Sequence, residues 1–93
     1  MSENKKVTVT VRGSVQGIGY RWYVQGLARS KNLGGWVKNR YDGAVEIQAE
    51  GAKASLEEFL VSLRKHPYAR ISSVETDWMD QAKKEFDDFE IRF

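Results

Sequence analysis

The sequence predicts an α+β sandwich of element order βαββαβ: a four-stranded antiparallel sheet with two helices on one face and a short extra strand at the carboxyl end. Period-two alternation opens the chain, apolar residues recur at helical spacing in two separate segments, and an Asp-Gly turn joins two further strand-like runs. At 93 residues there is room for one small domain, 1–93, with a single core, its first six residues forming a flexible lead-in.

Val7-Thr8-Val9-Thr10-Val11-Arg12 alternates apolar and polar, so its valines face a core. After a glycine-rich loop, Tyr20, Val24, Leu27 and Ala28 recur at helical spacing. Asn32 tolerates the left-handed conformation that ends a helix, giving a first helix over about residues 21–31. Residues 36–39 and 45–49 form a hairpin through Tyr41-Asp42-Gly43, because Asp-Gly supplies the positive φ angles of a tight turn. Ser55 with Glu58 three residues on makes a capping box ahead of the stripe Leu56, Phe59, Leu60 and Leu63. Pro67 follows the end of that second helix, residues 71–78 form another strand, and Phe89, Ile91 and Phe93 alternate as a short final one. This is a split βαβ, ferredoxin-like order. Its first crossover makes strands one and two parallel, so both end on the same side of the sheet. With strand three between them, the glycine loop and Asn39 are about 10 Å apart, two strand spacings of roughly 4.8 Å.

Composition narrows the function. Fifteen Lys and Arg against thirteen Asp and Glu leave a net charge of +2, a slight basic excess that suits anionic partners. Absence of cysteine excludes disulfides, thiolate catalysis and Cys-based zinc sites, and fits a reducing cytosol. The opening Met1-Ser2-Glu3-Asn4-Lys5-Lys6 lacks the apolar run of a signal peptide, and no apolar segment approaches the roughly eighteen residues of a membrane span. The expectation is a cytoplasmic protein with no membrane partner.

The stretch Gly13-Ser14-Val15-Gln16-Gly17-Ile18-Gly19-Tyr20-Arg21 runs from the first strand into the first helix. Glycines let backbone N–H groups converge, and a helix start adds unpaired donors and partial positive charge, which together favour a phosphate-like anion. Arg21 opposes the helix dipole unless an anion is bound; its planar guanidinium can then grip two phosphate oxygens. The loop lacks the Gly-Lys-Ser/Thr ending of a P-loop, and Trp22 stands where a dinucleotide fold needs its third glycine. On composition and spacing alone, a plain tight turn and a surface arginine account for the same residues equally well.

Other candidates carry less chemistry. His66 precedes Pro67 in a turn and reads as a surface histidine, and the pairs Glu57-Glu58 and Asp87-Asp88 read as solvated faces. Ser14 has no histidine base near it in sequence, and Trp36 reads as structural. No metal site and no cofactor are expected.

Gly13 through Arg21 closely resembles the first signature of acylphosphatases, and Gly35-Trp36-Val37-Lys38-Asn39 with Asp42-Gly43-Ala44-Val45-Glu46 resembles the second. The likeness extends through the helix near Ser55, the Pro67 turn with Ala69-Arg70-Ile71, and the ending Phe89-Glu90-Ile91-Arg92-Phe93; it is weakest over residues 1–6 and 80–88. Ile18 and Tyr20 replace the more usual Val and Phe, Lys38 replaces Arg, and Asn32 takes a usual glycine position. The resemblance implies a metal-free hydrolase of acyl phosphates, releasing inorganic phosphate that also inhibits. It implies Arg21 and Asn39 as the catalytic residues, with Arg21 on the phosphoryl group and Asn39 on the attacking water. The phosphate is expected on Ser14, Val15, Gln16, Gly17, Ile18, Gly19, Tyr20 and Arg21, in a free-standing monomer with no nucleic-acid partner. The rival reading is an RNA-binding module of the same element order, against which Tyr20, Trp22 and Tyr23 cluster at the loop end instead of alternating along central strands.

Overall fold

The computed structural model describes residues 4–80 and 85–93. In chain order the elements are β1 (Asn4–Ser14), α1 (Tyr20–Ser30), β2 (Gly34–Asn39), β3 (Val45–Ala52), α2 (Lys53–Ser62), a 3₁₀ turn (Leu63–Lys65), β4 (Arg70–Asp80) and β5 (Phe89–Arg92). β1 starts earlier than the alternation suggested. Asn4, Lys5 and Lys6 pair with Ala52, Gly51 and Glu50 and so extend the strand, while residues 1–3 of the expected lead-in, and 81–84 of the weakly matching segment, lie outside the described residues.

The five strands lie in the order β4-β1-β3-β2-β5. β4, β1, β3 and β2 are antiparallel, as predicted, with β3 between β1 and β2; the extra edge strand β5 runs parallel to β2, which makes the sheet mixed. Val7, Val9 and Val11 of β1, Val45, Ile47 and Ala49 of β3, Val37 of β2 and Phe89 of β5 are fully buried. They share one core with Val24 and Ala28 of α1 and Leu56 and Phe59 of α2, so both helices cover the same face. Val45 faces Val11 on one side and Asn39 on the other. Directly opposed residues share a face, so Asn39 stands in the core-facing row after Val37, where alternation would put an apolar side chain.

Two helix ends differ from expectation. α2 follows β3 without a loop, its N-cap is Ala52 in extended conformation, and no side chain caps it. The Ser55–Glu58 capping box is therefore not formed: Ser55 is already the third helical residue, and the Glu58 carboxylate lies 3.5 Å from Lys31 Nζ instead. Asn32 does take the left-handed conformation, at φ 57°, after α1. The buried carboxylate of Glu50 accepts the backbone N–H groups of Glu85 and Phe86, joining the end of β3 to the approach to β5.

The start of α1 is fastened to the end of α2 by two phenols. Tyr20 Oη donates to Leu63 O and Tyr23 Oη to Ser62 O, each at 2.7 Å, satisfying carbonyls left open where α2 ends. Burial pushes both phenols' pKa values up, Tyr20 further, with the neighbouring Tyr23 adding to it. His66 is half-buried, not a free surface residue. Its ring stands edge-on to Tyr23 and Tyr20 at 4.9 and 5.8 Å, and its Nδ1 accepts the Tyr68 N–H at 3.1 Å. Tyr20 thus has a use that phenylalanine at this position lacks. Tyr20→Phe should cost about 1–2 kcal/mol, since it strands a buried carbonyl, and should lower the urea midpoint without changing the slope. An unchanged midpoint would remove the hydroxyl from the fold's support.

Candidate active site

The loop between β1 and α1 makes its turns at glycine: Gly17 and Gly19 hold φ of 78° and 75°, and no atom lies within 4 Å of where a Cβ would stand on either. Gly19 is the left-handed N-cap of α1. No side chain caps this helix and no acid occupies its first turn, so neither offsets its positive end. The first helical bond runs from Tyr23 N–H to Gly19 O at 3.1 Å, leaving the amides of the preceding turn without a carbonyl one turn back. These are the donors that suit an anion.

Val15, Gly17, Gly19, Tyr20, Arg21, Trp22 and Asn39 line one cavity of about 150 Å³. The structure therefore brings Arg21 and Asn39 to a single small space, from opposite ends of a 19-residue stretch of sequence, together with most of the predicted loop. Ser14, Gln16 and Ile18 are not among the lining residues. Ser14 pairs with Arg70 at the end of β1, Ile18 packs against the core, and the Gln16 amide turns towards the hairpin. Asn39 is half-buried; its Oδ1 is closed off from solvent and has no hydrogen-bond donor among the described residues. A buried acceptor of that kind is uncommon and marks an amide able to take a further partner.

Arg21 is held from the carboxyl end of the chain. Nη1 donates to Arg92 O at 3.0 Å, and the guanidinium carbon stands 4.6 Å from the Phe93 ring centroid. Both partners are uncharged, and Arg21 has no ion pair among the described residues. Sequence reasoning missed these contacts. Phe93 reads as one more position of a strand, yet β5 ends at Arg92 and the ring is almost fully exposed apart from Arg21. It also missed Trp22 as a cavity wall, although a tryptophan beside a glycine loop was a visible signal; the structure leaves it 70% exposed. Trp36, read as structural, lies half-buried on the outer face between two cations, 5.0 Å from the Arg92 guanidinium and 5.7 Å from Lys38 Nζ.

The hairpin carrying Asn39 closes as a four-residue turn. Gly43 N–H donates to Arg40 O at 3.2 Å and Arg40 N–H to Ala44 O at 2.8 Å, and only Gly43 of the Asp-Gly pair takes a positive φ, 96°. Asp42 instead works through its carboxylate, which accepts the Ala44 N–H at 3.1 Å and lies 3.2 Å from Arg40 and 3.6 Å from Arg12.

The sequence model of the family described as Acylphosphatase matches residues 7–91. An acylphosphatase of Leuconostoc mesenteroides is 45% identical over 74 residues, covering 77% of this chain and 82% of its own. One from Bacillus licheniformis is 42% identical over 83 residues, or 88% of each chain. The crystal structure of acylphosphatase from Bacillus subtilis superposes with a TM-score of 0.90 at 33% identity, covering 96% of this chain and 99% of that one.

The Asp42 contacts set a pH dependence. The Ala44 amide, then Arg40 and Arg12, hold the carboxyl below its ordinary pKa. The folded chain therefore binds this proton less readily than the unfolded one. Its contribution to stability is complete above the unfolded value of about 3.9 and is lost as pH falls through the lower folded value. A carbon-13 titration of the Asp42 carboxyl should give a midpoint below that of a free aspartate; an ordinary midpoint would mean the turn is not held this way.

Proposed function

The chain belongs to the acylphosphatase family, hydrolases acting on the acid-anhydride bond of acyl phosphates, and from that premise we propose how its own residues carry out the reaction. The phosphoryl group sits in the cavity of the 15–20 loop, against backbone N–H groups and the Arg21 guanidinium. Asn39 holds a water for in-line attack on phosphorus, and no metal takes part. The observation that carries this reading is the shared cavity: Arg21, Asn39 and the glycine loop line the same 150 Å³.

Each part has a physical reason. Loose phosphoryl-transfer transition states need orientation and charge stabilisation more than covalent help, and fixed backbone donors with an arginine provide both. Asn39 is not a base. Its amide offers an acceptor and a donor, and a small rotation about the broad terminal torsion brings the buried Oδ1 onto a water bound in the cavity. Water adds to phosphorus as the bond to the carboxylate oxygen breaks, and one of its protons passes to a phosphate oxygen. The products are a carboxylate and dihydrogen phosphate. A carboxylate leaves with a conjugate-acid pKa of about 4, so no general acid is needed at neutral pH. We further propose a cytoplasmic monomer, in keeping with the cysteine-free sequence, inhibited competitively by its product phosphate.

Benzoyl phosphate hydrolysis, followed with and without a chelator, tests the reading. Turnover should be indifferent to chelation, and simple alkyl phosphates, whose leaving groups need protonation, should be poor substrates. Equal rates on both classes would defeat the leaving-group argument, and salt-sensitive RNA binding without turnover would favour the rival module. Arg21→Lys should weaken phosphate binding and lower kcat/KM by about a hundredfold, the scale of one lost transition-state donor. Asn39→Ala should lower kcat by a similar factor, about a hundredfold, while leaving the phosphate inhibition constant within about threefold. An unchanged kcat in Asn39→Ala would refute the water-holding role.

A further inference from the structure

The side chain of Gln16 leaves the loop it belongs to. Its Nε2 donates to Arg40 O at 2.6 Å and to Ala44 O at 2.9 Å. A primary amide nitrogen carries two N–H groups, and here both are directed to carbonyls, which also fixes which end of the amide is nitrogen. The two acceptors are the residues that close the β2–β3 turn, already bonded to each other through Arg40 N–H and Ala44 O. Asn39 immediately precedes Arg40, and its cross-strand partner Val45 immediately follows Ala44. One side chain rooted in the loop therefore grips both sides of the rung that holds Asn39. Among the described residues no other side-chain hydrogen bond joins loop residues 15–19 to residues 40–44.

We infer that Gln16 is a positioning residue: it sets the distance between the anion cradle and the Asn39 carboxamide. The inference rests on the roles proposed above for the loop, Arg21 and Asn39. The sheet fixes β1 against β3 and β3 against β2, but the loop leaves the sheet after Ser14. Beyond that point the ladder no longer holds it to the hairpin. In-line attack tolerates little error, since a misplacement of about 1 Å can cost about a hundredfold in rate. Binding of phosphate alone uses only the loop and Arg21, so it does not depend on where Asn39 stands. Gln16 should thus matter to turnover and not to phosphate affinity, a split that general loosening of the fold does not produce.

The test compares wild type with Gln16→Ala and Gln16→Glu, the latter keeping length and shape but unable to donate. In both variants kcat for benzoyl phosphate should fall about tenfold or more, with the competitive inhibition constant of inorganic phosphate within about threefold of wild type. The side-chain amide resonances of Asn39, recorded by nitrogen-15 NMR at saturating phosphate, should shift or broaden in both. Equal losses in kcat and phosphate affinity would overturn the inference, as would Asn39 resonances that do not move. If wild type fails to hydrolyse benzoyl phosphate, the functional reading falls, and the Asn39 resonances alone decide whether Gln16 positions the amide.

Discussion

The rung Val11–Val45–Asn39 is the constraint on which the rest of the molecule depends. β3 lies antiparallel between β1 and β2, and a single residue of it, Val45, faces Val11 on one side and Asn39 on the other. Val11 and Val45 are wholly buried, so neither can slide without turning an entire strand face out of the core. That register brings the end of β1, from which the glycine loop departs, level with the end of β2, where Asn39 stands. Two groups that local structure could never bring together thus share one cavity because a hydrophobic row has no alternative register. The row also dictates that Asn39 point to the helix side, behind Val37, where its oxygen is shut away from solvent.

The loop and the first helix are tied to this frame at separate points. Tyr20 and Tyr23 fix the start of α1 to the end of α2, the Arg29–Asp88 pair at 3.0 and 2.9 Å joins its last turn to the approach to β5, and Gln16 joins the loop to the hairpin. The two exposed charges of the Arg29 pair contribute little to stability on their own. The phenols are different, because they bond backbone carbonyls away from open solvent, Tyr20 in a buried setting and Tyr23 in a half-buried one, and lie within the turn that opens the helix. Tyr20 consequently serves both the packing and the wall of the cavity.

What could be read from the sequence followed from local rules. The alternation in β1, the helical stripe of α1, the left-handed Asn32 and the Asp-Gly hairpin each depend on neighbours a few positions away, and each stands where the pattern put it. The order βαββαβ then implied that β3 separates β1 from β2 and that the loop meets Asn39. The capping box failed for a local reason too: Ser55 and Glu58 have the right spacing, but β3 runs straight into α2 and starts the helix three residues early. Other features were beyond such rules because they depend on long-range partners. Nothing near Gln16 indicates that its amide reaches 24 and 28 residues onward, and nothing near Phe93 indicates that its ring covers Arg21. The parallel pairing of β5 with β2, and the buried Glu50 that holds its approach, belong to the same group.

Charge arrangement separates Arg21 from four of the other arginines. Arg12, Arg29, Arg40 and Arg92 stand 2.9, 2.9, 3.2 and 3.3 Å from Glu75, Asp88, Asp42 and Glu90, so a carboxylate offsets each charge. Arg21 is fixed instead by a carbonyl and an aromatic ring, which restrict the guanidinium without cancelling its charge. It does so at a helix start with no acid in the first turn, where a cation is least welcome. A carboxylate at this place would have stabilised both the helix end and the arginine, and its absence leaves two positive features side by side. A negative group in the cavity they border would relieve the repulsion between them. The same absence would spare the proposed phosphoryl group competition with a resident carboxylate, so the unfavourable placement of Arg21 and its proposed use follow from one electrostatic cause.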